Sequence, residues 1–413
     1  MISKESNVNG YAKSFPTVFD KAYKDTLTNK DGKTYIDFFS GAGALNYGHN
    51  NQLIKHDLST FFDYDAPVHC LDMDSVVKLK FLDRFEHYIL KPRNLDYKIQ
   101  FPSPSGTNAV EAAVKLARKL TKRSKVIAFT NSFHGMTATA LAVSGSQEHK
   151  HCDIPDQEIM FFPHEGFMGP NFDSLAFLSK MIETTGSGVN VPAAIIVETI
   201  QAEGGVNVAS VEWLQKLSAI CKKHCIILIV DDIQVGCGRT GDFFSFEKAN
   251  IYPDIVLLSK SISGYGLPLS IILLKPELDI WTAGEHNGTF RANNLSLAAA
   301  TSALEHYWKD DALQKQVKAL ESIIVDKLEF LQHNSSKVLE ISGRGLIWGI
   351  ELENGELAAN ASKTAFEKGL IIETCGNHGQ VLKILPPLVI EPENLTRGID
   401  ILAGILTEVV SSH

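Results

Sequence analysis

From about residue 100 onward the chain alternates short apolar runs with amphipathic stretches. Val126–Phe129, Ala193–Glu198, Ile226–Val230, Ile255–Leu258 and Ser270–Leu274 are runs of strand length. Ala109–Leu120 carries apolar residues at 110, 113, 114, 116, 117 and 120, the stripe of a helix. Val211–Lys223 repeats that stripe with Trp213, Leu214, Leu217 and Ile220. Strands apolar throughout and separated by helices are covered on both faces. The pattern therefore predicts an α/β fold, a mostly parallel central sheet with helices on both sides. After Asn294 the rhythm changes. Leu295–Trp308 and Asp311–Leu331 read as long helices, and Val338–Glu340, Leu346–Leu352, Ala358–Lys368 and Val381–Ile384 as a smaller α+β unit. Near the start, the turn residues Asn29–Lys33 precede a short strand, Thr34–Phe39, that enters the loop Ser40-Gly41-Ala42-Gly43. The expected division is an N-terminal segment 1–45 joining the small domain, a large domain 46–295 and a C-terminal small domain 296–413.

Composition narrows the class. The chain has 413 residues, 44% hydrophobic and 21% charged, so it holds enough apolar residues for a packed core and is neither disordered nor collagenous. The charge sum is 39 − 48 = −9, which argues against a general nucleic-acid binder. No apolar run approaches the roughly 20 residues of a membrane span, and Met1–Gly10 lacks the apolar core of a signal peptide. Six cysteines do not make a disulfide framework, so a reducing cytoplasm is expected. Cys221-Lys222-Lys223-His224-Cys225 offers three potential ligands, but the second ligand pair is missing and Cys225 opens a buried strand. These read as structural cysteines, and no metal is expected.

Ligands of open parallel sheets sit at the carboxyl ends of the strands. Three polar stretches occupy such ends: Glu198–Glu203, Asp231–Gln234 and Ser259–Lys260. Asp231 ends an apolar strand and needs a partner. It suits a loop cap, a metal ligand or the partner of a cationic ring nitrogen, and residue type alone does not choose. Lys260 stands at the mouth of another buried strand, where a desolvated amine becomes nucleophilic; the bland alternative is a lysine that snorkels to the surface. Ser105-Gly106-Thr107-Asn108 precedes the helix at Ala109, either as an ordinary N-cap or as an anion cradle. An anion cradle, a strand-end Asp and a strand-end Lys, in that order on one α/β sheet, together match a pyridoxal-phosphate site.

The motifs around these residues resemble the class III, or ω-type, aminotransferases of fold type I, from about residue 15 to the C-terminus. Ser105–Ala113 is similar to that family's phosphate turn and Phe133-His134-Gly135 to its ring-stacking segment. Glu198–Gly205 and Asp231-Asp232-Ile233-Gln234-Val235-Gly236-Cys237-Gly238-Arg239-Thr240-Gly241 resemble its two signature stretches. Gly343–Leu346 and Leu385–Leu388 match its small-domain motifs. Within the class, Tyr35–Asn51, Leu71–Met73, Leu258–Pro268 and Gly284–Arg291 are similar to the branch acting on 2,4-diaminobutyrate.

The resemblance implies pyridoxal 5'-phosphate as cofactor and a homodimer or higher homo-oligomer. Lys260 would form the Schiff base and shuttle a proton, Asp231 would keep the ring nitrogen protonated, and Gln234 would bind the ring's 3-oxygen. Ile233 and Phe133 would sandwich the ring, with His134 beside them. Ser105, Gly106 and Thr107 would hold the phosphate, as would Thr289 from the neighbouring subunit. Glu203, Lys383 and Arg291 would meet substrate. Lys383 stands where many class III enzymes carry Arg, and a lysine binds carboxylate as a point charge without the bidentate fork. Asp232 stands where the wider class has Glu. The implied reaction moves the amino group of L-glutamate to the 4-position of L-aspartate 4-semialdehyde by ping-pong chemistry. The rivals are a GABA, ornithine or acetylornithine aminotransferase, an aminomutase, or a cofactor-binding regulator without turnover. The last usually needs an added DNA-binding domain, for which the first 45 residues are too few.

Overall fold

A computed structural model of the chain describes residues 14–145 and 158–408, with residues 6 and 8. The rest of the polar stretch Met1–Gly10 lies outside the described residues. The centre is a seven-stranded sheet: β1 (Lys98–Gln100), β2 (Val126–Phe129), β3 (Ile159–Phe162), β4 (Ala194–Val197), β5 (Ile227–Asp231), β6 (Ile255–Leu258) and β7 (Ile271–Leu274). Its spatial order is β1-β7-β6-β5-β4-β2-β3. All neighbours are parallel except β7, which runs against both β6 and β1.

Period-2 alternation divides the strand residues between two apolar cores. Phe129, Val197, Val230 and Leu258 pack on one face with Trp213, Leu214 and Leu217 of the helix Val211–His224 and with Leu297 and Leu304 of the helix Asn294–Tyr307. Ala128, Ile196, Ile229 and Leu257 point the other way, onto Val110, Ala113, Val114 and Ala117 of the helix Gly106–Thr121. Residues apolar on both faces are what a sheet covered on both sides demands. Each fully buried Val, Leu or Ile contributes about 1.5–3 kcal/mol.

Two smaller sheets surround this body. Val338–Arg344, Ile347–Leu352, Val381–Ile384 and Glu373–Cys375 form a four-stranded antiparallel sheet. Phe19–Tyr23, Thr26–Asn29 and Thr34–Asp37 form another, whose last strand pairs in parallel with Leu370–Ile371. The expected strand Thr34–Phe39 stops at Asp37 because the Asp37 carboxylate accepts the backbone N–H groups of Phe39 and Ser40 at 2.8 and 2.9 Å. One helical turn follows, Ser40–Gly43, and all four of its residues have positive φ. Among the described residues, no helix is long and apolar enough to cross a membrane, and no group of three or more His, Cys, Asp or Glu is arranged to hold a metal ion.

Candidate active site

The adjacent parallel strands β4, β5 and β6 end side by side. Glu198 follows β4, Asp231 closes β5, and Ser259 and Lys260 follow β6. A cavity of about 300 Å³ opens at these ends. Its walls include Ser105, Gly106, Thr107, Phe133, His134, Glu203, Asp231, Ile233, Gln234 and Lys260, so ten of the expected site residues converge there. Lys383 reaches it indirectly, through Glu203. Thr289 and Arg291 do not line it. The Thr289 carbonyl accepts from His69 Nε2 at 2.9 Å. Arg291 pairs with Asp72, Asn287 and the Gly288 carbonyl.

Lys260 has φ +49°, a left-handed conformation that costs a non-glycine residue about 1–2 kcal/mol. Its Nζ donates to the Ala42 carbonyl at 2.9 Å. Gln234 Nε2 donates to the same oxygen at 2.9 Å and to Glu203 Oε1 at 3.0 Å. The left-handed turn Ser40–Gly43 thus aims one carbonyl at two cavity side chains. Burial and the Lys383 charge lower the Lys260 pKa, with Glu203, Glu373 and Asp231 opposing. Gln234 Oε1 is buried and has no partner, leaving an acceptor without a donor in the cavity wall.

Asp231 is buried. Its Oδ1 accepts the Ile233 N–H at 3.1 Å and its Oδ2 lies 2.7 Å from His134 Nδ1. A carboxylate accepts, so Nδ1 carries the proton. Behind it, Glu198 Oε2 accepts the Phe133 N–H at 3.0 Å. Burial and the nearby Asp231 charge hold the Glu198 carboxyl well above the usual carboxylate range. Asp232 faces away from the cavity, accepting the Ser245 N–H at 3.1 Å. Burial pushes its carboxyl up to about 7.

At the helix Gly106–Thr121, Asn108 Oδ1 accepts the Ser105 hydroxyl at 2.7 Å and the Ser105 N–H at 3.3 Å. The turn caps its helix and also lines the cavity. A Cβ on Gly106 would sit 2.9 Å from Ile233 Cδ1, and one on Gly135 2.7 Å from Thr107 Oγ1. Glycine is what lets these backbones close on the cavity.

Lys383 lies on the strand Val381–Ile384 with no exposed side-chain surface. Its Nζ is 2.6 Å from Glu203 Oε1 and 2.9 Å from Glu373 Oε1. Burial alone would raise the Glu203 carboxyl, but the Lys383 and Lys260 ammonium groups hold it below its ordinary value. Lys383 is driven upward by the same two carboxylates against the cost of burial.

The family follows from the whole chain. Residues 8–406 match the family described as Aminotransferase class-III. The chain belongs to the class III aminotransferases. Its curated relatives include a diaminobutyrate–2-oxoglutarate transaminase of Bordetella parapertussis, 48% identical over 412 residues, 99% of this chain and 95% of that one. Another of the same name, from Halomonas elongata, is 48% identical over 404 residues, 96% of each chain. Among solved structures, a Bacillus anthracis aminotransferase superposes with a TM-score of 0.88 at 23% identity, covering 98% of this chain and 96% of that one.

This class III aminotransferase has fold type I, and its cofactor is pyridoxal 5'-phosphate. The donor set fits that group. The cavity offers an amine for a carbonyl, a buried carboxylate for a ring nitrogen, and a glycine-lined helix N-terminus for a phosphate. Two further polar residues belong to this neighbourhood. Glu198 is visible only as a strand-end residue of a family stretch. Glu373 gives no signal, because a charged residue in a three-residue strand reads as solvated surface.

Proposed function

We propose that the enzyme converts L-aspartate 4-semialdehyde and L-glutamate into L-2,4-diaminobutyrate and 2-oxoglutarate. The observation that carries this reading is identity of 48% over 412 residues with a relative named diaminobutyrate–2-oxoglutarate transaminase. Bound in the cavity, pyridoxal phosphate supplies an electron sink for the carbanion left when a substrate C–H bond is broken.

The chain's own residues do the rest. Lys260 would hold the cofactor through its amine, and that amine, once free, would carry the proton taken from the substrate carbon. Burial lowers the pKa of that amine and so favours its neutral, basic form. Asp231 would keep the ring nitrogen protonated with its buried carboxylate, which His134 fixes by its Nδ1–H. Gln234, whose Oε1 has no partner, would serve the ring's oxygen. Ile233 and Phe133 would hold the ring and exclude water. Ser105, Gly106 and Thr107 would hold the phosphate at the helix end. Lys383 would meet the substrate carboxylate, with Glu203 its partner when no such carboxylate is bound. Arg291, which lies outside this cavity, would meet the far end of diaminobutyrate only if its pairing with Asp72 is exchanged.

We extend the proposal to assembly. Tyr64, Val68, Leu71, Met73 and Phe290 are exposed apolar residues. Their segments adjoin where the Asn294 N–H donates to the Val68 carbonyl at 3.1 Å and where Arg291 pairs with Asp72. A second copy covering this face would bring Thr289 to its partner's phosphate site. A cytoplasmic location and the division at residues 45 and 295 belong to the same reading.

Incubation with L-glutamate and a panel of aldehyde acceptors, with amine products read by mass spectrometry, tests the substrate assignment. Diaminobutyrate from aspartate 4-semialdehyde should form at least about tenfold faster than ornithine or 4-aminobutyrate from their aldehydes, a transition-state difference of about 1.4 kcal/mol. Faster formation of either rival product overturns it.

A further inference from the structure

Lys383 is a buried ammonium shared by two carboxylates, and only one of them faces the cavity. Glu203 is a cavity wall residue, held by Lys383 at 2.6 Å and by Gln234 at 3.0 Å. Glu373 stands directly opposite Lys383 across the strand pair, behind the cavity wall. Its Oε1 is 2.9 Å from the same Nζ and has no other partner. Glu373 is thus held by the ammonium alone, whereas Glu203 is held by the ammonium and by Gln234. Burial and the Glu203 charge raise the Glu373 carboxyl, and Lys383 and Lys260 oppose them. The remaining titratable neighbour is the Cys375 thiol, which burial pushes up to about 12 and which stays neutral.

The two substrate pairs differ at this spot. Glutamate and 2-oxoglutarate carry a carboxylate on the reacting carbon. C4 of diaminobutyrate and of aspartate 4-semialdehyde carries none. A carboxylate on a carbon reacting at Lys260 settles against the same cavity wall, where the wall residue Glu203 is bonded at 2.6 Å to the Lys383 ammonium. Its arrival puts a third anion on one ammonium, and uncompensated buried charge is expensive. Protonation of one resident carboxylate restores the balance. Glu373 is the one with no second donor to hold it as an anion.

We propose that Glu373 is a specificity-determining residue: it competes with a substrate carboxylate for Lys383 and takes up a proton when such a carboxylate binds. The inference rests on the proposed function for the identity of the substrates, and its test separates the two. The holoenzyme is titrated with glutamate and with diaminobutyrate, following the cofactor absorbance, for the wild type and Glu373→Gln. The variant should lower the half-saturating glutamate concentration relative to that for diaminobutyrate about tenfold, equivalent to about 1.4 kcal/mol. An unchanged ratio, or a parallel weakening of both, overturns the proposal.

A second readout needs no turnover. Calorimetry of glutarate binding in two buffers of different ionisation enthalpy should show uptake of about one proton by the wild type and by Glu373→Asp, and none by Glu373→Gln. If Glu373→Gln does not fold, the wild-type calorimetry decides, and absence of proton uptake overturns the proposal. If neither amino acid changes the wild-type spectrum, the substrate reading fails, and glutarate calorimetry still decides the role of Glu373.

Discussion

Replacing Asp231 by Asn removes one buried charge and one of two acceptors while keeping the side-chain volume. The amide oxygen can take the Ile233 N–H, now donated to Oδ1 at 3.1 Å, and the amide NH2 then meets His134 Nδ1, now 2.7 Å from Oδ2, so His134 must present that nitrogen unprotonated. What disappears is the negative charge beside the cofactor's ring nitrogen. Two unit charges ~4 Å apart interact by about 4 kcal/mol at an effective dielectric of about 20. At 1.36 kcal/mol per pKa unit this is about three units on the ring nitrogen. The ring then remains largely neutral near pH 7 and stabilises a carbanion poorly. The expected loss in the half-reaction with glutamate is about 10³-fold, with cofactor affinity reduced far less. Stopped-flow absorbance of a single turnover measures the rate, and fluorescence titration measures affinity. A Glu replacement keeps the charge and should recover part of the rate. An Asn variant within tenfold of wild type, with cofactor bound, would refute the electrostatic role of Asp231.

Other consequences follow from the same geometry. Lys260→Ala should abolish borohydride-trappable attachment of the cofactor, seen by intact-mass spectrometry, and lower the rate by at least about 10⁴-fold; a trapped adduct would place the attachment elsewhere. Arg239 is fully buried, donating Nη1 to the Leu346 carbonyl at 2.9 Å and to the Pro386 carbonyl, and Nη2 to Asn46 Oδ1 at 2.6 Å. Arg239→Ala strands three acceptors and should destabilise the holoenzyme by about 3–5 kcal/mol in urea unfolding; a change below about 1 kcal/mol would contradict this. His164 is buried among Phe129 and Trp213 rings, and burial lowers its pKa from 6.5 to about 4. The unfolded chain binds this proton more readily, so the contribution is full above pH ~6.5 and is lost as pH falls toward ~4, in total about 3 kcal/mol. Thermal unfolding of His164→Gln should show a flatter pH dependence than wild type across that range.

The strands of the central sheet were legible because burial on both faces leaves apolar runs. Val126–Phe129 and Ile255–Leu258 match residue for residue, and Ala194–Val197 falls inside its expected range. Periodicity also located the helix ending at Thr121, although it begins at Gly106, three residues before the expected start at Ala109. The helices Gln52–Asp63 and Val76–Phe85 stayed hidden because each is mixed in composition and buries few side chains. The antiparallel direction of β7 leaves no mark on a strand buried on both sides. At the site, position relative to strand ends picked out Asp231 and Lys260, because a charged residue after an apolar run is conspicuous. The His134 contact with Asp231 joins residues 97 apart. The Ala42 carbonyl reaches Lys260 across 218 residues. No local pattern encodes either meeting, and both depend on the packed geometry.

The most direct test of the central claim is the absorbance spectrum of the purified protein with pyridoxal phosphate, before and after each amino acid is added alone. The account predicts a Schiff-base band that shifts to the pyridoxamine form with glutamate and, separately, with 2,4-diaminobutyrate. A band that forms but answers to neither, or no band at all, would contradict it.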